Sequence, residues 1–252
     1  VFLTTDPGSI ERTLILSGSL DPAIEGLANL VHDEGLFIHA SNVGNIGALQ
    51  ALTRNACHAA PMELPALSLL SESRFLMQHL PAQDIAFIHI ATIEQGIASR
   101  NGLVFEDLFK VRLINTRKDT PTRMVFDALL SSRGIESSRI DGYLHEVNGP
   151  QAVAAAIRNG FADAGVCTSS VAGTYGLQFE PIANEDYELA VKRETLNDPR
   201  ICTLISLIKS PAYKTILEKT RGYNCSQTGT IRSLSENNTL EEFSSYTFPS
   251  RS

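Results

Sequence analysis

The chain has 252 residues, of which 43% are hydrophobic and 19% charged, a composition typical of a globular protein with a sizeable core. Its formal net charge of −7, without any Lys/Arg cluster, argues against nucleic-acid binding, which needs a basic face. No apolar run approaches the roughly 20 residues that span a bilayer. The N-terminus lacks the basic and apolar regions of a signal peptide, so we expect a cytoplasmic protein, or a periplasmic or extracellular one whose leader was removed.

The cysteines and histidines show no metal-binding pattern. The four cysteines are scattered, without a C-x-x-C pair and without histidines at metal-ligand spacing. We therefore expect no metal-cation site and mostly reduced, partly buried thiols. Cys202 and Cys225 are the pair to check for a disulfide.

The first predicted elements are a strand, a hydroxyl-rich loop and a helix. A short apolar run at 14–16 leads into Ser-Gly-Ser at 17–19. Asp21 is a typical N-cap, and Pro22 occupies the first helical position, where proline is best tolerated. Apolar residues then recur at helical spacing over 23–31. The start of such a helix, with unpaired N–H groups and the positive end of its dipole, suits an anion.

The same design follows at once. A strand is predicted at 36–40, a Ser/Asn/Gly loop at 41–45 and a helix over 46–52. Residues 56–64 form another short apolar piece. Because hydroxyl and amide side chains follow two neighbouring strands, we expect both loops to lie at the same edge of one sheet.

A helix is predicted at 68–79 and a strong strand at 84–91. Residues 94–98 continue this strand in extended form, which suits a crossover between two lobes. Thr120 followed by Pro121 predicts the start of a helix that continues through the apolar positions up to 130. The other predicted elements are a short helix at 103–109, strands at 111–114, 143–147, 163–167, 179–182 and 188–191, and helices at 150–159, from 169, at 199–207 and at 211–219.

Strands that alternate with helices indicate an α/β fold with largely parallel sheets. Two extended crossovers would divide the chain into a first lobe of residues 1–92 plus 188–232 and a second lobe of residues 93–187. Residues 233–252 are rich in Ser, Asn and Glu, and we predict a mostly disordered tail. Hydroxyl-bearing loops from both lobes would then meet in one ligand cleft.

The polar loops occur in an order that resembles a known family. The segments concerned are Ser17-Gly18-Ser19-Leu20-Asp21-Pro22-Ala23, Ser41-Asn42-Val43-Gly44, Glu94-Gln95-Gly96, Thr122-Arg123, Ala152–Ala156, Ala162-Asp163-Ala164-Gly165 and Gly222-Tyr223. This order resembles the PBP-like domain of molybdate-binding type, a branch of the type II periplasmic binding-protein superfamily. The resemblance extends over residues 14–229.

The resemblance implies a two-lobed type II periplasmic-binding-protein fold that closes on a small tetrahedral oxyanion, such as molybdate, tungstate or sulfate. It implies a non-catalytic solute-binding protein without a cofactor. The implied partner is an ABC-type permease or a fused or partner regulatory domain, and this chain itself would bind no nucleic acid and insert into no membrane. The ligand residues implied by position are Ser17, Gly18, Ser19, Ser41, Asn42 and Val43 in the first lobe, and Asn115, Thr120, Thr122 and Arg123 in the second.

The sequence departs from the family pattern in three places, one of which is Cys167-Thr168 in place of a glycine-containing stretch. Asp119-Thr120-Pro121-Thr122 replaces a Gly-Ser-Gly-Thr-like turn, and Pro121 removes one backbone donor from it. Asp119 would repel an anion unless it points away or pairs with Arg117 or Lys118. Glu63 stands where relatives tend to carry His, and its charge is also unfavourable beside an oxyanion.

Two alternatives stay open at this point. Fold does not fix function, and the superfamily includes enzymes such as pyrimidine-precursor synthases of thiamine biosynthesis and prephenate dehydratases. Glu63, Cys167 and His145 would be the residues to consider for such chemistry. The other alternative is a ligand-sensing effector domain of a transcription regulator. For the Ser and Asn residues of the loops, simple helix capping competes with ligand binding.

Overall fold

A computed structural model of the chain describes residues 7–65, 84–118, 120–234 and 240–242. The α-helices are α1 (Pro7–Glu11), α2 (Pro22–Asp33), α3 (Gly44–Thr53), α4 (Pro121–Ser132), α5 (Pro150–Arg158), α6 (Ser169–Thr174), α7 (Pro199–Ile208) and α8 (Pro211–Glu218). Short 3-10 helices occupy Phe105–Lys110, Ser137–Arg139 and Arg193–Asn197. The strands are β1 (Thr13–Gly18), β2 (Phe37–Asn42), β3 (Ala60–Pro65), β4 (Ile85–Ser99), β5 (Leu113–Thr116), β6 (Glu146–Val147), β7 (Ala164–Thr168), β8 (Gln178–Lys192), β9 (Tyr223–Asn224), β10 (Ile231–Leu234) and β11 (Leu240–Glu242).

Local capping sets the starts of several helices, as the sequence predicts. Asp21 accepts a hydrogen bond from the backbone N–H of Ala23 at the start of α2, and Pro22 is the first helical residue. Thr120 accepts from the N–H of Arg123 at the start of α4. A capping oxygen pairs a donor that the helix itself cannot, and proline has no donor to lose at that position.

Two 15-residue strands, β4 and β8, organise the sheets. They pair antiparallel over almost their whole length, with bulges after His89 and after Gln95. β4 also pairs antiparallel with β7 and β10, and β8 with β3. Among the described strands, parallel pairing joins β1 to β2 and β5 to β6 and β7, and Leu16 and Ala59 form an isolated parallel bridge. The expectation of largely parallel sheets is therefore wrong, because the two long strands pair antiparallel with their neighbours.

The buried apolar side chains divide into two halves along β4 and β8. One half, called the first lobe here, packs β1, α2, α7 and α8 against the start of β4 and the end of β8, around Leu27, Ile90 and Leu204. A smaller cluster places α3 on β3. The other half, the second lobe, packs α4, α5 and α6 around Phe126 and Ile157. The predicted lobe limits at 92/93 and 187/188 fall inside β4 and β8, and they stay predictions.

Three predicted segments differ in the structure. The strand expected at 143–147 is reduced to Glu146–Val147, because Gly142 has a positive φ and its carbonyl accepts from the N–H of His145 in a turn. The helix expected at 103–109 is the 3-10 helix Phe105–Lys110. The helix expected at 68–79 lies outside the described residues.

The predicted disordered tail is partly a strand. Ser233, in β10, pairs with Ala86 of β4, and β11 pairs antiparallel with β10. This differs from the expectation because β4 has a free edge at this height, which β10 covers. The rest of the stretch 233–252 lies outside the described residues.

Two chain-wide expectations can be compared with the structure. All four cysteines are free thiols, so the Cys202–Cys225 pair is not bridged. In the described part of the chain, none of the helices combines the length and apolarity that crossing a bilayer requires.

Candidate functional site

A cleft of about 690 Å3 lies between the two lobes. Pro22, at the start of α2, borders it on the first lobe, and Gln151 and Ser170 border it on the second. Next to it the lobes touch, where the hydroxyl of Ser169 donates to the carbonyl of Arg221 over 3.3 Å. Helix starts from both lobes thus face one space, which is where α/β proteins bind ligands.

Two hydroxyls meet at the end of the parallel pair β1–β2. Ser17 and Ser41 are register partners, and their Oγ atoms lie 2.9 Å apart. Ser17 is buried and Ser41 half-buried, while Asn42 follows as an exposed amide. The structure therefore brings together three of the predicted first-lobe side chains, which carry both donors and acceptors.

The backbone donors of the same loops are already used inside the first lobe. The N–H of Ser17 donates to Ala59, that of Ser19 to Pro61 over 2.9 Å, and that of Val43 to Gly18 over 3.0 Å. A Cβ on Gly18 would overlap the carbonyl oxygen of Pro61, so this glycine is required by the close approach of β3. These three N–H groups are therefore not available to a ligand.

The predicted second-lobe loop is largely occupied with its own structure. Asn115 is buried, and its amide donates to the carbonyl of Tyr143 over 2.8 Å. The hydroxyl of Thr120 lies 2.7 Å from that of Thr116 and caps α4. Thr122 is buried in the first turn of α4. Asp119, the predicted departure in this turn, lies outside the described residues.

Arg123 is fully buried in the second lobe. Its Nε donates to Asp127 over 2.9 Å, and its Nη1 donates to Glu146 and to the carbonyl of Thr116. The guanidinium carbon lies 4.2 Å from the ring centre of Tyr143. Asp127, Glu146 and the ring of Tyr143 thus compensate the positive charge of Arg123. The resemblance instead assigns that charge to the ligand.

Helices α3 and α5 begin without a side-chain cap. Val43 and Gly149 occupy their N-cap positions, and neither helix has a side-chain hydrogen bond to its first turn. The other helices of eight or more residues that the structure describes are capped, by Asp21, Thr120, Asp198 and Ser210. α3 follows Ser41 and Asn42 directly, and Gln151 in the first turn of α5 borders the cleft. The uncapped start of α5 therefore borders the cleft, and the uncapped start of α3 lies next to Asn42 in the first lobe.

A cluster of acidic residues, called the floor of the cleft here, lies next to the start of α2, whose Pro22 borders the cleft. Glu63 on β3 is half-buried and forms a side-chain hydrogen bond with Ser19, and Glu185 on β8 is almost fully buried. The Nε2 of Gln95 donates to Oε2 of Glu185 over 2.5 Å. Asp21 accepts from the hydroxyl of Tyr223.

The carboxyls of this floor are harder to ionise than carboxyls in water. Burial raises the pKa of Glu63 from 4.5 to about 7, and the charge of Asp21 adds to the rise, against the hydrogen bond from Ser19. Burial and then the charge of Glu63 raise the pKa of Glu185 well above its ordinary value. Burial also raises the pKa of Asp21, although Tyr223 and the N–H of Ala23 oppose the rise.

The residues considered for an enzymatic alternative do not assemble in the described structure. Cys167 is fully buried in the second-lobe core, and burial raises the pKa of its thiol to about 12, so it is not a thiolate. His145 is exposed at a turn beside β6. Among the three, Glu63 alone belongs to the cleft floor.

Glu185 belongs to no motif that marks it as a site residue in the sequence. It lies inside a long strand, and its position beside Gln95 depends on the pairing of β4 with β8, where Ile93 is the register partner of Glu185. One feature of the sequence could have pointed to Glu185. It lies on the same strand face as Tyr187 and Leu189, where an acidic residue is unusual because that face is buried.

The amino-acid sequence is similar to a known family and to known proteins. A family model described as the PBP superfamily domain matches residues 28–209. An uncharacterized protein from the 5′ region of a 2Fe-2S ferredoxin gene of Clostridium pasteurianum is 33% identical over 109 residues, which cover 43% of this chain and 96% of that protein.

Solved structures of solute-binding proteins have the same fold. One assigned as a phosphate ABC transporter substrate-binding protein from Clostridium perfringens, with bound phosphate, superposes with a TM-score of 0.65 at 12% identity, covering 84% of this chain and 98% of that one. The substrate-binding domain of a protein assigned as a molybdenum ABC transporter from Clostridium difficile gives 0.58 at 15% identity, covering 84% and 98%. The predicted two-lobed α/β fold is thereby confirmed.

Proposed function

The chain belongs to the PBP superfamily, and from this premise we propose that it is a non-catalytic solute-binding protein that captures a small tetrahedral oxyanion group between its lobes. The fold is that of ABC substrate-binding proteins for phosphate and molybdenum.

The observation that carries the proposal is the pair of uncapped helix starts, α3 and α5, on opposite lobes. Every helix leaves N–H groups unpaired in its first turn, and a side-chain cap usually takes one of them. Where no cap is present, these groups and the helix dipole are available to an anion. An oxyanion placed between the two helices would receive donors from both lobes at once.

The side chains beside these helices complete the proposed site. Ser41 and Asn42 precede α3 directly, and Ser17 is hydrogen-bonded to Ser41. Gln151 lies in the first turn of α5 and borders the cleft. Of the ligand positions implied by the resemblance, we keep Ser17, Ser41 and Asn42 as contacts, because their side chains are not used up in capping.

Because the proposed hydrogen-bond donors come from both lobes, we expect ligand binding to close the cleft. A ligand that takes hydrogen bonds from both lobes has a higher affinity for the closed form, and it therefore shifts the population toward closure. The partner that this implies is an ABC-type permease that binds the closed form, as the names of the structural neighbours suggest.

Isothermal titration with molybdate, tungstate, sulfate and phosphate tests the proposal. We expect micromolar or tighter binding of at least one of these oxyanions. Ser41→Ala and Asn42→Ala should each weaken that binding by about tenfold, the effect of losing one hydrogen bond to a charged group. Ser206→Ala, at an exposed position on α7, is the matched control and should bind like the wild type.

Two results would contradict the proposal. One is the absence of measurable heat with all four oxyanions. The other is binding that Ser41→Ala and Asn42→Ala leave unchanged, because the ligand would then lie away from the start of α3.

A further inference from the structure

The floor of the cleft contains more acceptors than the protein satisfies. Glu63, Gln95 and Glu185 come from β3, β4 and β8, which are neighbours in the sheet, with Glu185 paired in register to Pro65 on one side and to Ile93 on the other. Of these strands, β4 and β8 pass from one lobe to the other. The charge of Asp21 acts on Glu63, and Pro22, the residue after Asp21, borders the cleft, so the cluster lies next to that space.

Two oxygens of this cluster are buried without a hydrogen-bond partner. Gln95 is 0% and Glu185 1% exposed. Their Nε2 and Oε2 atoms pair with each other, but Oε1 of Gln95 and Oε1 of Glu185 have no partner within the described structure. Buried polar atoms are normally paired, and each exception requires an explanation.

The cluster also lacks a positive counter-charge. Asp21, Glu63 and Glu185 supply three carboxyls, and the ion pairs found among the described residues involve none of them. Burying carboxylates together is costly unless a cation or protons compensate their charge. Burial first, and the neighbouring negative charge second, raise the pKa values of Glu63 and Glu185.

Neither a metal ion nor a proton accounts for the unpaired oxygens. The described His, Cys, Asp and Glu residues include no group of three arranged to hold a metal ion. A proton on Oε1 of Glu185 would neutralise one charge, but it would have no acceptor, because that atom has no partner in reach. A cationic group with several donors would supply both the hydrogen bonds and the positive charge.

We propose that the floor binds a primary ammonium group of the solute, through the carboxylates of Glu63 and Glu185 and the Oε1 atom of Gln95. An ammonium carries three donors and one positive charge, which matches both deficits of the cluster. This inference rests on the proposed function, since it assigns the oxyanion group to the same solute. The solute is then a small zwitterion with an oxyanion at one end and an ammonium at the other.

The chain places the two ends close enough for one small molecule. Ser19 forms a hydrogen bond with Glu63, and Ser17 forms one with Ser41 beside α3. Two residues of extended chain separate Ser17 from Ser19, which is about 7 Å. The half-buried Glu63 is the member of the cluster that a solute in the cleft would reach first.

Two matched probes test the inference, 2-aminoethylphosphonate and ethylphosphonate, which share the tetrahedral group and differ by the ammonium. We expect the purified wild-type chain to bind 2-aminoethylphosphonate at least tenfold more tightly at pH 7. Glu63→Gln and Glu185→Gln should each remove most of this preference and leave ethylphosphonate binding equal or tighter, because a neutral amide no longer repels the anion. Glu106→Gln, at an exposed position of the second lobe, is the matched control.

The outcomes separate this inference from the proposed function. Equal affinities for the two probes, a preference that survives both Gln variants, or binding of inorganic oxyanions without either phosphonate would overturn the ammonium site and leave oxyanion capture intact. No binding of any anion would remove the proposed function, and the ammonium site with it. If Glu185→Gln fails to fold, Glu63→Gln tests the ammonium site by itself. Glu63 is half-buried and Gln has nearly the same shape as Glu, so we expect this variant to fold.

Discussion

The guanidinium of Arg123 stacks on the ring of Tyr143 at 4.2 Å, and the hydroxyl of Tyr143 donates over 2.7 Å to Asp127, the carboxylate that also accepts from Arg123. Glu146 accepts a further hydrogen bond from Arg123. These contacts join α4 to β6 and to the turn before it. Arg123 thereby holds the second lobe together, and we leave it out of the proposed ligand contacts.

Replacing Arg123 should affect folding rather than affinity. Arg123→Ala removes a fully buried cation and leaves Asp127 and Glu146 without it, so we expect the free energy of unfolding to fall by about 3 kcal/mol. Arg133→Ala, which breaks an exposed ion pair with Glu106, should cost about 0.5 kcal/mol or less. Urea denaturation measures both changes. An Arg123→Ala protein of normal stability that no longer binds the oxyanion would instead make Arg123 a ligand.

The local rules of helix starts account for what the sequence could predict of the fold. Asp21 with Pro22 and Thr120 with Pro121 mark helix starts because capping involves residues within one turn. The same rules could not distinguish a cap from a ligand contact. Thr120 is a cap in the structure, whereas Ser41 is not, and this difference depends on the three-dimensional position of each hydroxyl.

Gly18 tests the close approach of β1 and β3. A Cβ at this position would overlap the carbonyl oxygen of Pro61 and lie 2.8 Å from its Cδ, and both are parts of a buried, rigid residue. We expect Gly18→Ala to cost at least about 2 kcal/mol, because the clash moves backbone in a packed sheet. Gly173→Ala is the control, since its Cβ would meet the flexible side chain of Arg221 at 3.3 Å. Equal stability of both variants in urea denaturation would show that β1 can move away.

Cys167 should be inert in the folded protein. Its side chain is fully buried, and burial raises the pKa of its thiol to about 12, so almost no thiolate forms at pH 8. Cys202 is half-buried and should react first with a thiol reagent. Mass spectrometry after brief native labelling would identify the modified residue. Rapid labelling of Cys167 at pH 8, without unfolding, would reopen the possibility of a nucleophile at this place.

The acidic floor illustrates what sequence patterns could not supply. Glu63 is visible in the sequence as a departure, but its effect depends on Glu185, which is 122 positions away in the chain and reaches Glu63 only through the pairing of β3 with β8. The strongest signal in this region, the apolar run of β4, predicts a buried strand. It does not predict which strands will lie beside Gln95.

The raised pKa of Glu63 predicts that stability falls as the pH rises. The folded state holds this proton up to about pH 7, whereas the unfolded chain releases it near pH 4.5. The stabilising contribution is therefore complete below pH 4.5 and is lost as the pH rises to about 7. We expect unfolding at pH 8 to require about 2 kcal/mol less than at pH 5 from this group. Glu63→Gln should flatten the profile, and Glu106→Gln should not. A wild-type stability that rises between pH 5 and pH 8 would show that Glu63 ionises normally.

Gly222 lies where the two lobes touch, and it offers a test of closure that leaves the proposed ligand contacts unchanged. It has a φ of +78°, and a Cβ there would overlap the hydroxyl of Ser169 and lie 3.1 Å from Oε2 of Glu94. Gly222→Ala should hold α6 away from the first lobe and weaken oxyanion binding at least tenfold, since donors from both lobes must reach one ligand. Gly134→Ala, with a φ of +63° and open space around it, has the same backbone strain away from the cleft and should bind normally. Titration of both variants, with thermal unfolding to match their stabilities, separates the two effects. If Gly222→Ala binds as tightly as Gly134→Ala, the contact between Ser169 and Arg221 has no part in closure.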